Sequence, residues 1–259
     1  MVMIDIHIHI LPHLDDGARD LDEALDMARQ AVAEGVTTVI ATPHGPKTGL
    51  VRNYSPELVR QRVRTLREAL DEHGIPLEVL SGTELNHHPD LPVWLQQQQV
   101  LTLNDSRTVL LEFPNNATRA DLDAGLAAVQ QAGYRVVLAH PERIKQVQEH
   151  PDLLIALIGR GVLMQLTGDT LLGLHGEKMR QRAEQLLTHH MIHILASDAH
   201  DRLSHRPQLG LAYQRAVELI GAEAAQALVW DTPDAILHDQ PIALPKPTPI
   251  HRSLITRFF

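Results

Sequence analysis

The sequence of 259 residues contains no cysteine, and this absence removes several kinds of chemistry. Disulfide bonds, cysteine nucleophiles and thiolate metal ligands are all excluded. Apolar runs long enough to cross a membrane are also lacking, so we expect no membrane insertion. No Gly-rich loop follows the first strand pattern, which disfavours a dinucleotide-binding sheet. These absences direct attention to chemistry that histidine and carboxylate side chains perform.

Positive charge is scarce as well, because 23 lysine and arginine residues face 32 aspartate and glutamate residues, for a net charge of -9. No basic stretch offsets this balance, so we expect no nucleic-acid partner and no anionic membrane surface. Asp5 and His7 interrupt the first apolar run, so the N-terminus lacks the pattern of a signal peptide. Together with the lack of cysteine, this favours a cytoplasmic protein. The oligomeric state is left open.

Short apolar runs alternate with amphipathic stretches along most of the chain. Seven runs have the pattern of strands: 3–9, 37–44, 77–85, 109–114, 134–143, 162–169 and 193–200. Four stretches between them have helical spacing, and Asp20 and Ser55 are the predicted N-caps of the first two: 20–35, 55–74, 119–133 and 177–190. This alternation predicts parallel strands in one α/β domain over residues 1–240, as a barrel or an open sheet. Residues 241–259, in which Pro245, Pro247 and Pro249 break the alternation, are predicted to form an extended tail.

The first strand pattern alternates isoleucine with polar residues. Because successive side chains of a strand point to opposite faces, one face is predicted to carry four apolar residues: Ile4, Ile6, Ile8 and Ile10. The other face carries Asp5, His7 and His9. This pattern predicts a strand that is buried on one side and faces a reaction centre on the other.

Ionisable side chains recur at or just beyond the C-terminal ends of the predicted strands. With Asp16 from the first loop, nine residues share this placement: His7, His9, Asp16, His44, Glu84, Glu112, His140, Asp198 and His200. Active sites of parallel barrels lie at this end, because the strand–helix loops converge there. A single motif such as TPH or GTE is weak evidence, so the joint placement is what indicates a metal centre.

The chemistry of these nine side chains limits the ions that they suit. All are imidazole or carboxylate groups, which favours Mn, Fe, Co or Zn. Nine ligands exceed the needs of one ion, but with one bridging carboxylate they suit a cluster of two or three. Such clusters activate water and stabilise a transferring phosphoryl or acyl group. The remaining histidines that we considered lack this placement and are assigned to structure or solvent: His13, His87, His88, His189, His190 and His193.

The motifs MIDIHIHILPHLDDGARD, ATPH, GTEL, LEFP, AHPER and ASDAH together resemble the polymerase and histidinol phosphatase (PHP) family. The resemblance is stronger to its bacterial capsule-operon branch of manganese-dependent protein-tyrosine phosphatases. It implies a distorted (β/α)7 barrel, similar to a TIM barrel, and three divalent ions, with manganese expected first. It also implies three ligand groups: His7, His9, Glu84 and Asp198; Glu84, Glu112 and His140, with Glu84 bridging; and Asp16, His44 and His200. The family's phosphate-binding arginines correspond to Arg143 and to Arg206, with Arg202 as the alternative for the second.

The resemblance implies hydrolysis of phosphotyrosine on a protein, with the tyrosine-rich tail of a bacterial autokinase that controls capsule or exopolysaccharide export as the expected substrate. Histidinol-phosphate phosphatase is the alternative activity within the same family. An amidohydrolase is disfavoured, because none of the four lysines lies at a strand end where a modified lysine would bridge metals. A non-catalytic binding module is disfavoured because all nine ligand positions are filled.

Overall fold

The computed structural model describes residues 2–46 and 54–250. Eight strands are present in these ranges: β1 (Met3–Ile8), β2 (Val36–Ala41), β3 (Glu78–Ser81), β4 (Glu84–Asn86), β5 (Thr108–Glu112), β6 (Arg135–Ala139), β7 (Leu163–Thr167) and β8 (Ile194–Ala196). They form two parallel sheets, in the orders β1-β2-β3 and β4-β5-β6-β7-β8. Single parallel bridges link the two sheets, at Ile8 with Ala199 and at His44 with Glu84. The prediction of an α/β fold with parallel strands is confirmed.

Helices follow most of the strands. Their bounds are α1 (Leu21–Ala33), α2 (Pro56–Glu72), α3 (Leu91–Gln96), α4 (Arg119–Gln131), α5 (Lys145–Glu149), α6 (Leu153–Gly159), α7 (Gly168–Leu171), α8 (Glu177–Thr188), α9 (Leu209–Ile220), α10 (Ala222–Gln226) and α11 (Thr232–Leu237). The predicted N-caps are confirmed, since the side chains of Asp20 and Ser55 accept hydrogen bonds from the N–H groups of Glu23 and Leu58. Within the described ranges, no helix combines the length and apolar character needed to cross a membrane.

The strand predicted over 77–85 is wrong, because the structure divides it into β3 and β4. Gly82 lies at the break, where its N–H donates to the carbonyl of Ala41 at 2.9 Å. A Cβ at this position would lie 2.7 Å from the Ile40 side chain, so the close approach requires glycine. The break moves the chain from the edge of one sheet to the edge of the other.

The prediction that four isoleucines of the first strand share one face is also wrong. Ile4 and Ile6 belong to a small apolar cluster that β2, β5, β6, β7 and β8 complete. Ile8 and Ile10 belong instead to the larger core under the helices. The cause is an irregularity in the pairing of β1 with β2 between Asp5 and Ile8, because such a bulge moves the following side chains to the other face.

Candidate metal centre

The structure brings all nine predicted ligand residues together at the C-terminal ends of the strands. Contacts of 2.9–3.9 Å between imidazole nitrogens and carboxylate oxygens connect them into one cluster. Six of the nine are buried, and Asp16, Glu112 and His200 are more accessible. The cluster therefore has a closed inner side and an open outer side.

Glu84, the first residue of β4, lies at the middle of the cluster. Its Oε1 is 2.9 Å from His140 Nε2 and 3.4 Å from His7 Nε2. Its Oε2 is 3.0 Å from His44 Nδ1 and 3.3 Å from His9 Nε2. Each oxygen thus faces a different pair of imidazoles, which is the arrangement expected of a bridging carboxylate.

The spacing of the nitrogen atoms tests whether ions fit. The Nε2 atoms of His7 and His9 are 3.3 Å apart, and Asp198 Oδ1 lies 3.2 Å from His7 Nε2. Two ligands with bonds of about 2.0–2.1 Å to one tetrahedral ion are separated by about 3.3 Å. The buried His44 Nδ1 makes no hydrogen bond among the described residues, even though Glu84 Oε2 lies 3.0 Å from it. Donor type, spacing and this unpartnered atom all fit bound divalent ions.

Asp15 is a functional residue that the sequence analysis missed, because only its neighbour Asp16 was selected from the DDG motif. Asp15 Oδ2 accepts a hydrogen bond from His9 Nδ1 at 2.7 Å and another from the His44 N–H at 2.9 Å. Burial raises the pKa of Asp15, but the contact with His9 outweighs it and lowers the pKa to about 2. Asp15 therefore fixes the ring of His9 with Nε2 directed at the cluster, as outer carboxylates do in metal sites.

Gly17 ends this first loop directly against His9. A Cβ at Gly17 would lie 2.1 Å from the carbonyl oxygen of His9, so no other residue fits there without movement of the chain. The N–H of Gly17 donates to Asp15 Oδ1 at 3.0 Å. The glycine of the DDG motif thus permits the turn that holds Asp15 behind the ligand.

Gln165 of β7 supports the cluster from the inner side and was also missed. Its Oε1 lies 3.0 Å from His7 Nδ1 and accepts a hydrogen bond from the His140 N–H at 3.3 Å. An amide oxygen accepts but does not donate, so His7 carries its proton on Nδ1 and presents the Nε2 lone pair to the cluster. A glutamine inside a buried strand was the available signal, since buried polar groups need partners.

Opposing effects set the pKa values of the buried groups. Burial lowers the pKa of His44, but the carboxylates of Asp16 and Glu84 outweigh it and raise the pKa to about 10. Burial together with the negative charge of Glu84 raises the pKa of Glu112 to about 7. Burial raises the pKa of Glu84, yet His7 and other imidazoles hold it well below its usual range. Protons and cations therefore compete for the same atoms.

Two of the predicted ligands lie where the backbone leaves its strand in a left-handed conformation. His140 follows β6 with φ 32°, and Asp198 follows β8 with φ 55°. Residues other than glycine adopt such angles rarely and at an energetic cost, and they cluster at functional sites. These turns end β6 and β8 earlier than the sequence predicted and direct both side chains into the cluster.

Arg143 lies beside the cluster, and Arg206 does not. Arg143 Nη2 donates to Asp198 Oδ2 at 2.6 Å, while Oδ1 of the same carboxylate faces His7. Arg206 is exposed, and its Nε donates to Gln208. Arg202, the alternative to Arg206, is paired with Asp26. The phosphate-binding roles of Arg143 and of Arg206 or Arg202 stay predictions.

Two cavities open at the cluster. One, of about 320 Å³, is lined by Asp16, Arg143, His175, Asp198, His200, Asp201 and His205. The other, of about 380 Å³, lies on the Glu112 side and is lined by Pro46, Asn86, His87, His88, Glu112, Phe113, Pro114 and Asn115. His87, which the sequence analysis assigned to structure or solvent, stacks on Phe113 with ring centroids 4.7 Å apart. The cluster thus borders a cavity on each of two sides, through Asp16, Asp198 and His200 on one and Glu112 on the other.

The parallel α/β fold and the clustered imidazole and carboxylate groups define a metal-dependent enzyme. Residues 3–238 match the family described as capsular polysaccharide synthesis, CpsB/CapC, and the chain belongs to this family. It is 35% identical over 257 residues to tyrosine-protein phosphatase YwqE of Bacillus subtilis, covering 99% of this chain and 100% of that protein. It is 30% identical over 243 residues to tyrosine-protein phosphatase CpsB of Streptococcus pneumoniae, covering 92% and 99%. The predicted capsule-operon branch is confirmed.

Solved structures agree with this assignment. The fold matches a crystal structure from work on YwqE of Bacillus subtilis and CpsB of Streptococcus pneumoniae, described as unique metal-dependent tyrosine phosphatases, with a TM-score of 0.91 and 35% identity. The match covers 96% of this chain and 100% of that one. A histidinol phosphate phosphatase from Lactococcus lactis matches with a TM-score of 0.56 at 13% identity, covering 87% and 94%. That similarity concerns the fold alone.

Proposed function

We propose that this protein is a metal-dependent protein-tyrosine phosphatase that acts in the synthesis of capsular or other exported polysaccharide. The observation that carries the proposal is Asp198, whose two oxygens face a ligand histidine on one side and Arg143 on the other. A phosphate held by Arg143 would therefore lie next to the metal ligands. Relatives that match over nearly their full length are named tyrosine-protein phosphatases. The phosphorylated tail of a bacterial tyrosine autokinase is the proposed substrate.

The nine ligand residues would hold the ions, which we propose are three in number. Manganese is expected first, with iron, cobalt and zinc as alternatives, because the ligands are all nitrogen and oxygen. Divalent ions at this position lower the pKa of water and offset the charge of a phosphate group. Glu84 would serve two of them, in keeping with its two separately directed oxygens.

Arg143 is the group of this chain that binds the phosphate. Burial lowers the pKa of Arg143, but the carboxylates of Asp198 and Glu142 outweigh it and keep the guanidinium charged. Among the described residues, Arg143 donates from its side chain only through Nη2, to Asp198 and Thr167. Its other N–H donors can therefore bind phosphate oxygens. Stabilising charge on these oxygens is the main requirement of phosphoryl transfer. Arg206 is the proposed second arginine, with Arg202 as the alternative.

The leaving group fits the same site. A tyrosine side chain has a pKa of about 10, so the phenolate leaves with less help from an acid than an aliphatic alkoxide needs. The 380 Å³ cavity beside Glu112 offers Pro46, Pro114 and the stacked His87 ring to an aromatic group. Without cysteine in the chain, tyrosine phosphatase activity cannot use a cysteine nucleophile, which agrees with the proposed metal-based mechanism.

The proposal includes the finer features of the fold. The bridge between Ile8 and Ala199 and the hydrogen bond from the His9 N–H to the Ala199 carbonyl support closure of the two sheets into a distorted (β/α)7 barrel. We propose residues 1–240 as the barrel domain and 241–259 as the tail. Within the described part of that tail, the N–H of Thr248 donates to the His189 carbonyl. A cytoplasmic location agrees with the lack of cysteine.

Initial rates on a tyrosine-phosphorylated peptide and on histidinol phosphate, measured with manganese and then with a chelator, test the proposal. We expect chelator-sensitive turnover that favours the peptide. Arg143→Ala is expected to lower kcat/KM for the peptide about 100-fold or more, because a charged phosphate contact is lost. Arg160→Ala, an exposed arginine paired with Asp123, is the matched control. Preference for histidinol phosphate would assign the alternative activity, and no turnover by the metal-loaded protein would refute both.

A further inference from the structure

A second group of metal-binding side chains lies outside the nine residues described above. It consists of Asp169, His175 and His205, each of which offers one donor atom within 4.8 Å of the others. Asp169 is buried, His175 is half-buried and His205 is exposed. Neither the motifs nor the proposed reaction uses these three residues.

The orientation of His175 follows from a chain of hydrogen bonds. Thr170 Oγ1 donates its only hydrogen to Glu142 Oε1 at 3.1 Å, so the same oxygen accepts from His175 Nδ1 at 2.9 Å. His175 therefore carries its proton on Nδ1, and its Nε2 has a free lone pair. A histidine held from behind by a hydroxyl and a buried carboxyl group has the support that is typical of a metal ligand.

Asp169 is held just as firmly. Its Oδ1 accepts a hydrogen bond from Gln208 Nε2 at 2.8 Å, which leaves Oδ2 directed at His205. Oδ2 and His205 Nδ1 are 3.2 Å apart, close to the spacing of about 3.3 Å for two ligands of one tetrahedral ion. This spacing also occurs between ligand atoms of the main cluster, at His7 and Asp198.

Glycines and hydrogen bonds fix the conformation of the loops that carry His175 and His205. The chain reaches His175 through Gly173, with φ 86°, and leaves it through Gly176, with φ 92°. The loop before His205 is closed by Asp201, which accepts from the N–H groups of Leu203 and Ser204. The His205 carbonyl accepts from the His200 N–H at 2.9 Å. The backbone therefore sets the separation of the two rings, whose centroids are 5.9 Å apart.

Charge around the group permits a cation. Arg143 lines the same 320 Å³ cavity and opposes a positive ion, but Asp198 compensates its charge at 2.6 Å. Asp201 lines the cavity as well and adds a carboxylate that binds only loop N–H and O–H groups. With the charge of Arg143 compensated, Asp201 in the cavity lining and Asp169, which lies behind His205, give the His205 side of the cavity a negative charge.

We propose that Asp169, His175 and His205 bind a further divalent cation of the zinc type, separate from the ions of the main cluster. Two imidazoles and one carboxylate with an open fourth position form a usual zinc donor set. The ion shares its cavity with Arg143, so it lies on the side where we propose that phosphate binds. Excess zinc is therefore expected to reduce turnover by occupying this cavity.

Zinc titration of the manganese-loaded protein by calorimetry, followed by metal analysis of the product, tests this inference independently of activity. The wild type is expected to take up one zinc ion per chain without loss of manganese. His175→Ala and His205→Ala are each expected to weaken this uptake about 100-fold or more. His238→Ala, which changes an exposed histidine of another region, is expected to bind zinc as the wild type does.

Two results would overturn the proposal. Zinc that enters only in exchange for manganese would mean that the main cluster is the sole site. Equal zinc uptake by the wild type and His175→Ala would mean that the three residues form a hydrogen-bonded network only. Both results leave the phosphatase proposal intact, because the titration does not depend on substrate turnover. Zinc inhibition of the wild type that is absent from His175→Ala would add support from activity.

Discussion

Buried histidines at the two ends of the parallel strands have different neighbouring groups. At the C-terminal ends of the strands, His7 and His9 are fully buried within 3.7 Å of carboxylate oxygens. At the other end, His193 directly precedes β8 and is 2% exposed. Its Nδ1 accepts one hydrogen bond from the Met164 N–H, and its Nε2 has no partner among the described residues. His193 is therefore about as buried as His7 and His9, but its neighbouring groups differ from theirs.

This difference decides the direction in which each pKa moves. Burial alone lowers the pKa of His193 from 6.5 to about 4. Burial would also lower the pKa of His9, but hydrogen bonds to Asp15 and Glu84 raise it well above its usual range. A buried histidine is thus evidence for a functional site only when carboxylates accompany it. The lone His193 accepts one backbone hydrogen bond, whereas the clustered histidines face carboxylates that stabilise a proton or, as proposed, a bound cation.

Removing the charge of the central carboxylate, Glu84, should have the largest effect on activity and metal content. Glu84→Gln keeps the shape of the side chain but removes the charge that faces four imidazoles at 2.9–3.4 Å. We expect kcat/KM on a phosphotyrosyl peptide to fall by about 1,000-fold or more, with fewer metal ions bound per chain. Steady-state rates and metal analysis of the purified variant provide the measurement.

Glu78→Gln is the matched control for this change. Glu78 lies in β3, six positions earlier in the chain, and its carboxylate is bonded to Thr38 outside the cluster. Its metal content and activity should equal those of the wild type. A Glu84→Gln variant with full metal content and activity would contradict the bridging role.

Removing the charge of Asp15, which lies behind the predicted ligand His9, should have a smaller effect on metal binding. Asp15→Asn removes the charge that holds the ring of His9 and leaves the nine ligands in place. Metal affinity is expected to fall about 10- to 100-fold, and excess metal should restore most of kcat. Equilibrium metal titration measures the affinity, with exposed Asp22→Asn as the control. Unchanged metal affinity would mean that Asp15 only closes the loop.

The sequence predicted which residues cluster better than it predicted the groups that orient them. Eight of the nine predicted ligands, among them His7, Glu84 and His140, share one signal, an ionisable side chain at a strand end, and parallel strands bring such ends together. Asp16 lies in the first loop instead. Asp15 and Gln165 carry no such signal, because each acts through hydrogen bonds to specific cluster residues that are distant in the local pattern. Such partners depend on loop and strand geometry, which local sequence patterns do not specify.

The fold shows the same division between regular and particular features. Alternating apolar patterns and caps predicted four of the long helices, and all predicted strands but the one over 77–85, to within a few residues, whereas α9 (Leu209–Ile220) was not among the predicted ranges. The irregularity after Asp5 and the break at Gly82 were missed, because both arise from contacts with neighbouring strands. These two departures adjoin His7 and Glu84, so the irregular backbone occurs where ligand side chains have to be directed.

The smallest expected effect is on the free energy of unfolding, and it is predicted for His193 at the N-terminal end of β8. His193→Leu removes the acceptor for the Met164 N–H, so at pH 7 the variant should be less stable by about 1–3 kcal/mol. Between pH 6.5 and 4 the unfolded chain protonates this histidine and the folded chain does not. The wild type therefore loses up to about 3 kcal/mol from this group as the pH falls through that range, and the variant does not.

The difference in free energy of unfolding between wild type and His193→Leu should therefore shrink steadily from pH 7 to pH 4. Denaturant unfolding at several pH values measures it, and taking the difference cancels the carboxylates that titrate in both proteins. His238→Leu, at an exposed position, should stay within about 0.5 kcal/mol of the wild type at every pH. A constant difference for His193→Leu would show that His193 takes up its proton over the same pH range in the folded and the unfolded chain. Burial would then not lower the pKa of His193, and the predicted difference in histidine pKa between the two ends of the strands would be lost.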